Sequence, residues 1–161
     1  MRKPLEAISL VVLVWMVWIT WSALAGPNRL PGRIPTHFNV SGEPDSWGTP
    51  SMLLLLPIVS LGLYTLITVV SRFPAAFNYP VRILPQVRQQ AESITLDMIA
   101  WVKAELLLLM AFLQNTIVRA AHGGDPRLHP LAVPAFIVLI FVTIGGHMVA
   151  VIRAARATGT R

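Results

Sequence analysis

Between two long apolar runs, the chain reads Leu30-Pro31-Gly32-Arg33-Ile34-Pro35-Thr36-His37-Phe38-Asn39 and, after two more residues, Gly42-Glu43-Pro44-Asp45-Ser46-Trp47-Gly48. Pro35 biases the residue before it toward an extended backbone. The stretches 39–42 and 43–45 contain Asn, Asp, Gly and Pro, the residue types that form turns. We therefore expect an ordered loop over residues 26–51, packed on the ends of the flanking helices.

The composition indicates a membrane protein. The 161 residues are 55% hydrophobic and only 12% charged, whereas ordinary globular domains carry roughly 25% charged residues. The apolar residues occur in long blocks, and a soluble fold would have too few polar side chains to cover its surface. The length fits one domain. The chain has no cysteine, which excludes disulfides, thiolate catalysis and cysteine metal sites.

Four apolar windows reach the roughly 20 residues that a crossing helix needs. We predict an all-α integral membrane protein with one domain over residues 1–161 and four transmembrane helices, at about 7–25, 52–70, 86–118 (the span from about 99) and 131–152. The cytoplasmic loop would cover residues 71–98, its second half being a helical extension of the third span.

The first window has a second interpretation, as a signal peptide. Arg2 and Lys3 precede it, and Ala23-Leu24-Ala25 resembles a cleavage site. The length of the window and its three tryptophans favour a retained helix.

The basic residues predict the orientation. Eight would lie on the side of the N-terminus and four on the other, which favours a multi-pass protein with both termini in the cytoplasm. The eight are Arg2, Lys3, Arg72, Arg82, Arg88, Arg153, Arg156 and Arg161, and the four are Arg29, Arg33, Arg119 and Arg127. No basic cluster is interleaved with aromatic residues, so the net charge of +6 does not indicate nucleic-acid binding.

The loop motif resembles a known family. The pattern Pro-x-Arg-Ile-Pro-Thr-His-Phe-Asn at residues 31–39, followed by Gly-Glu-x-Asp-x-Trp-Gly at 42–48, is similar to the signature of the bacterial domain-of-unknown-function family 1648. The stretches Phe77-Asn78-Tyr79-Pro80-Val81 and Trp101-Val102-Lys103-x-Glu105 extend the likeness to roughly residues 8–118. The resemblance implies a module like the N-terminal part of the immunity proteins that protect sporulating bacilli from their own secreted killing peptide.

The loop supplies candidates for contact with a peptide or protein partner: Arg33, Pro35, His37, Asn39, Glu43, Asp45 and Trp47. Three of them, His37, Glu43 and Asp45, have side chains that can bind a metal. No second histidine stands at ligand spacing, so we expect these three to stabilise turns and predict neither a metal nor a cofactor. We expect Arg33 to pair with Glu43 or Asp45.

Three ionisable residues fall within the predicted spans: Lys103, Glu105 and His147. At a rise of about 1.5 Å per residue, Lys103 lies near enough to the inner edge to extend its ammonium into water. Glu105 and His147 reach similar depths from helices of opposite direction, and the adjacent Gly145-Gly146 pair would permit close helix packing. We therefore predict a Glu105–His147 contact inside the bundle, with a structural hydrogen bond between the helices favoured over an ion-linked site.

The sequence contains no pattern of a catalytic site, which favours a non-enzymatic protein. With the family resemblance, the leading hypothesis is a multi-pass protein of the bacterial inner membrane that binds a peptide or protein partner through its outer loop, in an immunity or sensor role. Two alternatives stay open. One is transport of a small solute or proton along Lys103, Glu105 and His147, and the other is an accessory subunit of a larger membrane complex or a homo-oligomer.

Overall fold

The computed structural model describes residues 2–27, 29–30 and 32–157. Pro31 of the loop motif and Arg161 of the orientation count lie outside the described residues. In chain order the elements are α1 (Arg2–Leu24), β1 (Ile34–Phe38), β2 (Pro44–Gly48), a 3₁₀ turn (Pro50–Leu54) that continues into α2 (Leu55–Val70), a second 3₁₀ turn (Pro74–Ala76), α3 (Pro85–Ala121) and α4 (Ala132–Arg156).

Each apolar window lies in a helix. Pro50 begins the helical segment that leads into α2 and Pro85 begins α3, in keeping with the tolerance of proline in a first turn. Within the described residues, three helical segments are long and apolar enough to cross a membrane: Arg2–Leu24, Pro50–Val70 and Ala132–Arg156. The 37 residues of α3 extend over about 55 Å, more than the roughly 30 Å of a hydrocarbon core.

Helix α3 occupies the centre of the bundle. It packs against α1, α2, α4 and β1, and its buried residues recur along its length. Most large apolar side chains that remain exposed belong to α1, α2 and α4. The three outer helices therefore shield α3, which explains why the central helix is also the most polar one.

The loop between α1 and α2 contains a small antiparallel sheet, so the prediction of an all-α protein is wrong at this point. Strands β1 and β2 pair Ile34 with Gly48 and Pro35 with Trp47, and the register is irregular toward the turn. The extended backbone expected before Pro35 and the turn residues after Phe38 are the sequence features that form a hairpin.

A compact apolar cluster holds the hairpin on the helices. Leu30 and Ile34 are buried together with Ala23 of α1, Leu53 of the 3₁₀ turn and Ala121 of α3. The Leu30 amide also donates to the Ala23 carbonyl at 2.8 Å. The hairpin is thus fixed to the ends of three helical segments, in keeping with the ordered loop that the sequence predicts.

The hairpin turn is bonded to the loop that joins α3 and α4. The Asn39 side-chain oxygen accepts hydrogen bonds from the amides of Ser41 and Glu43 at 2.9 and 3.0 Å. Gly42 adopts a φ of 78°, and its carbonyl accepts from the Leu128 amide at 2.8 Å. A Cβ at residue 42 would lie 1.7 Å from the Leu128 carbonyl oxygen, so this close backbone approach requires glycine.

Replacing Gly42 by alanine should detach the turn from the α3–α4 loop, because the added methyl group overlaps the Leu128 carbonyl. The positive φ alone costs an alanine about 1–2 kcal/mol, and the overlap adds to this. Gly123→Ala is the matched control, since Gly123 has a φ of 82° and open space around its Cβ position. Thermal melting in detergent should show a larger loss for Gly42→Ala than for Gly123→Ala. Equal losses would contradict the close approach.

Candidate functional site

Lys103 joins three helices through one ammonium group. Its Nζ donates to the Glu6 carboxylate at 2.6 Å and to the Thr68 hydroxyl at 3.1 Å, and it lies 4.6 Å from the centre of the Tyr64 ring. The Lys103 residue is 4% exposed. The expectation that Lys103 extends into water is therefore wrong, because α1 and α2 supply a carboxylate, a hydroxyl and an aromatic face inside the bundle.

Glu6 is the acidic partner in this cluster. The Tyr64 hydroxyl donates to one carboxylate oxygen of Glu6 while Lys103 bonds the other. The Glu6 side chain is 38% exposed, so the ion pair lies at the margin of the bundle and stays partly hydrated. A second ion pair, between Arg2 and Asp97 at 3.1 Å, ties α1 to α3 toward the same end.

Glu105 points from the other side of α3 toward α4. The Thr143 hydroxyl donates to one Glu105 oxygen at 2.6 Å, and His147 donates from Nδ1 to the Thr143 carbonyl at 2.8 Å. Within the described residues, Glu105 and His147 are therefore linked through Thr143 and not by a direct hydrogen bond. The second Glu105 oxygen is buried and has no hydrogen-bond partner within the part of the chain that the structure describes.

The expected role of the glycine pair is also wrong. A Cβ added at Gly145 or Gly146 would meet no atom within 4 Å. The two glycines therefore face away from the bundle and do not bring α4 closer to α3.

The two polar faces of α3 meet different helices. Lys103 and Gln114 face α1 and α2: the Gln114 amide is buried and donates to the Met16 carbonyl at 2.8 Å and to the Thr20 hydroxyl at 2.9 Å. Glu105 and Phe112 face α4, where the Phe112 ring packs against Phe136 at a centroid distance of 6.1 Å. This division follows the 3.6-residue period of the helix.

A small cavity adjoins His147 at the end of the bundle where α3 begins. It has a volume of about 70 Å³ and is bounded by His147, Asn78, Tyr79 and Thr95 together with apolar side chains. The Tyr79 hydroxyl is buried and lacks a hydrogen-bond partner among the described residues. The second motif of the sequence, at residues 77–81, therefore lies next to the Thr143–His147 pair.

The hairpin candidates divide into anchored and exposed residues. His37 bonds Asp45 across the strands at 2.6 Å, and Glu43 pairs with Arg127 of the α3–α4 loop at 3.0 Å. Arg33 donates to the Trp47 carbonyl at 3.3 Å, so its expected pairing with Glu43 or Asp45 is wrong, since each carboxylate has another partner.

Two of the remaining candidates have structural roles. Pro35 is fully buried and Asn39 closes the turn. The outward surface of the hairpin is formed by the half-exposed Trp47, the fully exposed Val40 and the largely exposed His37.

Sequence reasoning missed the partners of the predicted polar residues: Glu6, Tyr64, Thr68 and Thr143. A signal for each is present. Glu6 is the acidic residue directly before the first apolar window, and Tyr64 and Thr68 are four residues apart, on one face of a helix. Thr143 stands four residues before His147, within reach of the same neighbouring helix.

This arrangement can fix helices at defined heights and rotations. The Lys103 cluster, formed by Lys103, Glu6, Tyr64 and Thr68, holds α1 and α2 on one face of α3. The Thr143 bridge, from Glu105 through Thr143 to His147, holds α4 on the opposite face. Exposing a charged or polar side chain to lipid is costly. The helices are therefore most stable in the arrangement in which these polar groups bond to one another.

The Glu6–Lys103 pair should show strong energetic coupling. We expect Glu6→Gln and Lys103→Met each to lower the free energy of unfolding in detergent, and the double variant to lose less than the sum by about 1–2 kcal/mol. The Arg88–Glu92 pair on the exposed surface of α3 is the control, and its coupling should stay near about 0.3–0.5 kcal/mol. Additive losses at Glu6 and Lys103 would rule out the pair.

The Thr143 bridge predicts coupling to Glu105. Thr143→Val removes the hydroxyl but keeps the backbone carbonyl that holds His147, so it should cost about 1–3 kcal/mol by leaving the buried carboxyl without a donor. In a Glu105→Leu background the same change should be nearly neutral. Chemical unfolding of the four proteins measures this, and an equal cost in both backgrounds would contradict the bridge.

Comparison with known proteins confirms the family resemblance over part of the chain. Residues 8–61 match the model of a family described as a domain of unknown function (DUF1648). This segment contains most of α1, the hairpin and the first part of α2, and it excludes Lys103, Glu105 and His147. The likeness to immunity proteins stays a prediction.

A protein of Archaeoglobus fulgidus, described as an uncharacterized protein, is 29% identical over 135 residues, which cover 71% of this chain and 68% of the relative. The similarity to this relative therefore covers more of the chain than residues 8–61. Its description gives no activity. No solved structure matches the chain at a significant level.

Proposed function

We propose that this chain, with its DUF1648 match at residues 8–61, is a non-enzymatic, four-span protein of a bacterial inner membrane with both termini in the cytoplasm. Three helices have the length and apolar character of spans. The fourth span would be α3, in which Lys103 and Glu105 bond to side chains of α1, α2 and α4, so these two charged residues need not face lipid. The surplus of arginine and lysine on the side of the N-terminus supports this orientation.

We further propose that the hairpin binds a peptide or protein partner outside the cell. The observation that carries this is a rigid hairpin with an uncovered surface: the turn is bonded to Leu128 and Arg127, while Val40 is 97% and Trp47 43% exposed. A surface fixed before binding loses little conformational entropy when a partner docks. The resemblance to immunity proteins makes a secreted peptide the leading partner class.

Transport of a proton or small cation is the second candidate. It is favoured by the buried Glu105 oxygen, which has no hydrogen-bond partner among the residues that the structure describes, and by the small cavity beside His147. A buried carboxylate in a membrane span is a common element of ion paths. A role as an accessory subunit or homo-oligomer draws on the exposed apolar side chains of α1, α2 and α4.

Site-specific crosslinking tests both orientation and binding, because the natural chain has no cysteine. Val40→Cys, at the hairpin tip, is labelled in intact cells with a membrane-impermeant maleimide that carries a photoreactive group, and Ala76→Cys in the opposite loop is the control. We expect the maleimide to label residue 40 in intact cells and residue 76 only after the cells are permeabilised. Illumination should then crosslink the label at residue 40 to a partner. Label at residue 76 in intact cells would reverse the orientation, and labelled residue 40 without any adduct would argue against a partner at the hairpin.

A further inference from the structure

A polar cleft lies between the outer end of α3 and the α3–α4 loop, beside the hairpin. It has a volume of about 220 Å³, and its walls are Phe112, Thr116, Arg119, Asp125, Arg127 and His129. We propose that this cleft binds the headgroup of a phospholipid with a primary amine, the phosphate at Arg119 and His129 and the ammonium at Asp125. The inference is independent of partner binding by the hairpin.

The walls of the cleft contain side chains that can donate to a phosphate, Arg119 and His129. No ion pair within residues 2–27, 29–30 and 32–157 includes Arg119, so its guanidinium is available for a bidentate phosphate contact. His129 accepts the Leu131 amide at Nδ1 over 3.3 Å, which leaves the ring hydrogen of the neutral form on Nε2, where it can donate. Arg127 adds positive charge, although Glu43 balances it at 3.0 Å.

Asp125 supplies the negative charge of the cleft. One Asp125 oxygen accepts the Arg127 amide at 3.0 Å, which fixes the carboxylate at the rim. The other oxygen can accept a hydrogen bond from an ammonium group. Because Arg119 and Asp125 line the same cleft, a zwitterionic headgroup complements its charges better than a purely anionic headgroup does.

The depth of the cleft points to a lipid. Phe112 precedes Arg119 by seven residues of α3, which places its Cα about 10 Å from that of Arg119 along the helix axis, toward the middle of the bundle. Phe112 packs against Phe136 of α4, so the cleft changes from charged at the mouth to aromatic at the floor. A phospholipid has the same order, with its phosphate above and its acyl chains below, whereas free phosphate would use the mouth alone.

The cleft also lies at the level of the headgroups. Residues 125–129 end three residues before α4 begins, and Arg119 stands in the last turn of α3. Basic side chains at the ends of membrane helices commonly contact lipid phosphates.

The test titrates the purified full-length protein in detergent with dioleoyl lipids that carry ethanolamine, choline or glycerol headgroups, and reads binding by native mass spectrometry. We expect ethanolamine lipid to bind about tenfold more tightly than choline lipid, since a quaternary ammonium cannot donate to Asp125. Asp125→Asn keeps the oxygen that holds the Arg127 amide and should remove this preference. Arg119→Gln should weaken all three lipids by about tenfold, and Arg29→Gln, an exposed arginine outside the cleft, should leave them unchanged.

Three outcomes would overturn the proposal: equal affinity for the ethanolamine and choline lipids, equal effects of Arg119→Gln and Arg29→Gln, or displacement of the lipid by millimolar inorganic phosphate, which would make free phosphate the ligand. Thermal melting of each variant separates lost binding from lost folding. Wild-type melting together with lost lipid binding supports the cleft.

Discussion

The arrangement of the bundle depends on two charged side chains of α3, Lys103 and Glu105, which lie within one helical turn. Both need hydrogen-bond partners inside an otherwise apolar bundle. Lys103 and Glu105 are two residues apart on α3 and therefore point in nearly opposite directions. Each needs a neighbour with complementary chemistry, so α3 must be enclosed on both sides. Helices α1 and α2 supply Glu6, Tyr64 and Thr68 to one residue, and α4 supplies Thr143 to the other. The central position of α3 follows from this constraint.

The ends of the bundle differ in how they are held together. Where α3 begins, ion pairs join α1 to α3, and a small cavity lies beside His147 of α4. At the other end, an apolar cluster and backbone hydrogen bonds fix a β-hairpin against helix ends and a neighbouring loop. The hairpin residues that hold this structure are buried or bonded, whereas Val40, Trp47 and His37 remain exposed. The motif thus combines a structural half with an exposed half.

Much of this architecture is predictable from local sequence. Apolar blocks of about 20 residues indicate the helices, proline and turn residues indicate the ordered loop, and the helical period predicts that Lys103 and Gln114 share a face. The partners of these residues are not local: Glu6 and Lys103 are 97 positions apart. Their contact depends on which outer helix packs on which face of α3, and that choice is settled by packing of the whole bundle. The same reason explains why Thr143, one helical turn before His147, takes the contact that the sequence assigns to the histidine itself.

The Gly42–Leu128 backbone bond has a consequence for where the domain ends. The segment that matches the family model stops at residue 61, yet its hairpin rests on Ala121, Arg127 and Leu128. The segment that carries the family signature is therefore smaller than the set of residues that support its hairpin. A fragment cut at the family boundary would lose the surface against which its own turn is set, and the recognisable signature would persist in a chain unable to hold its shape.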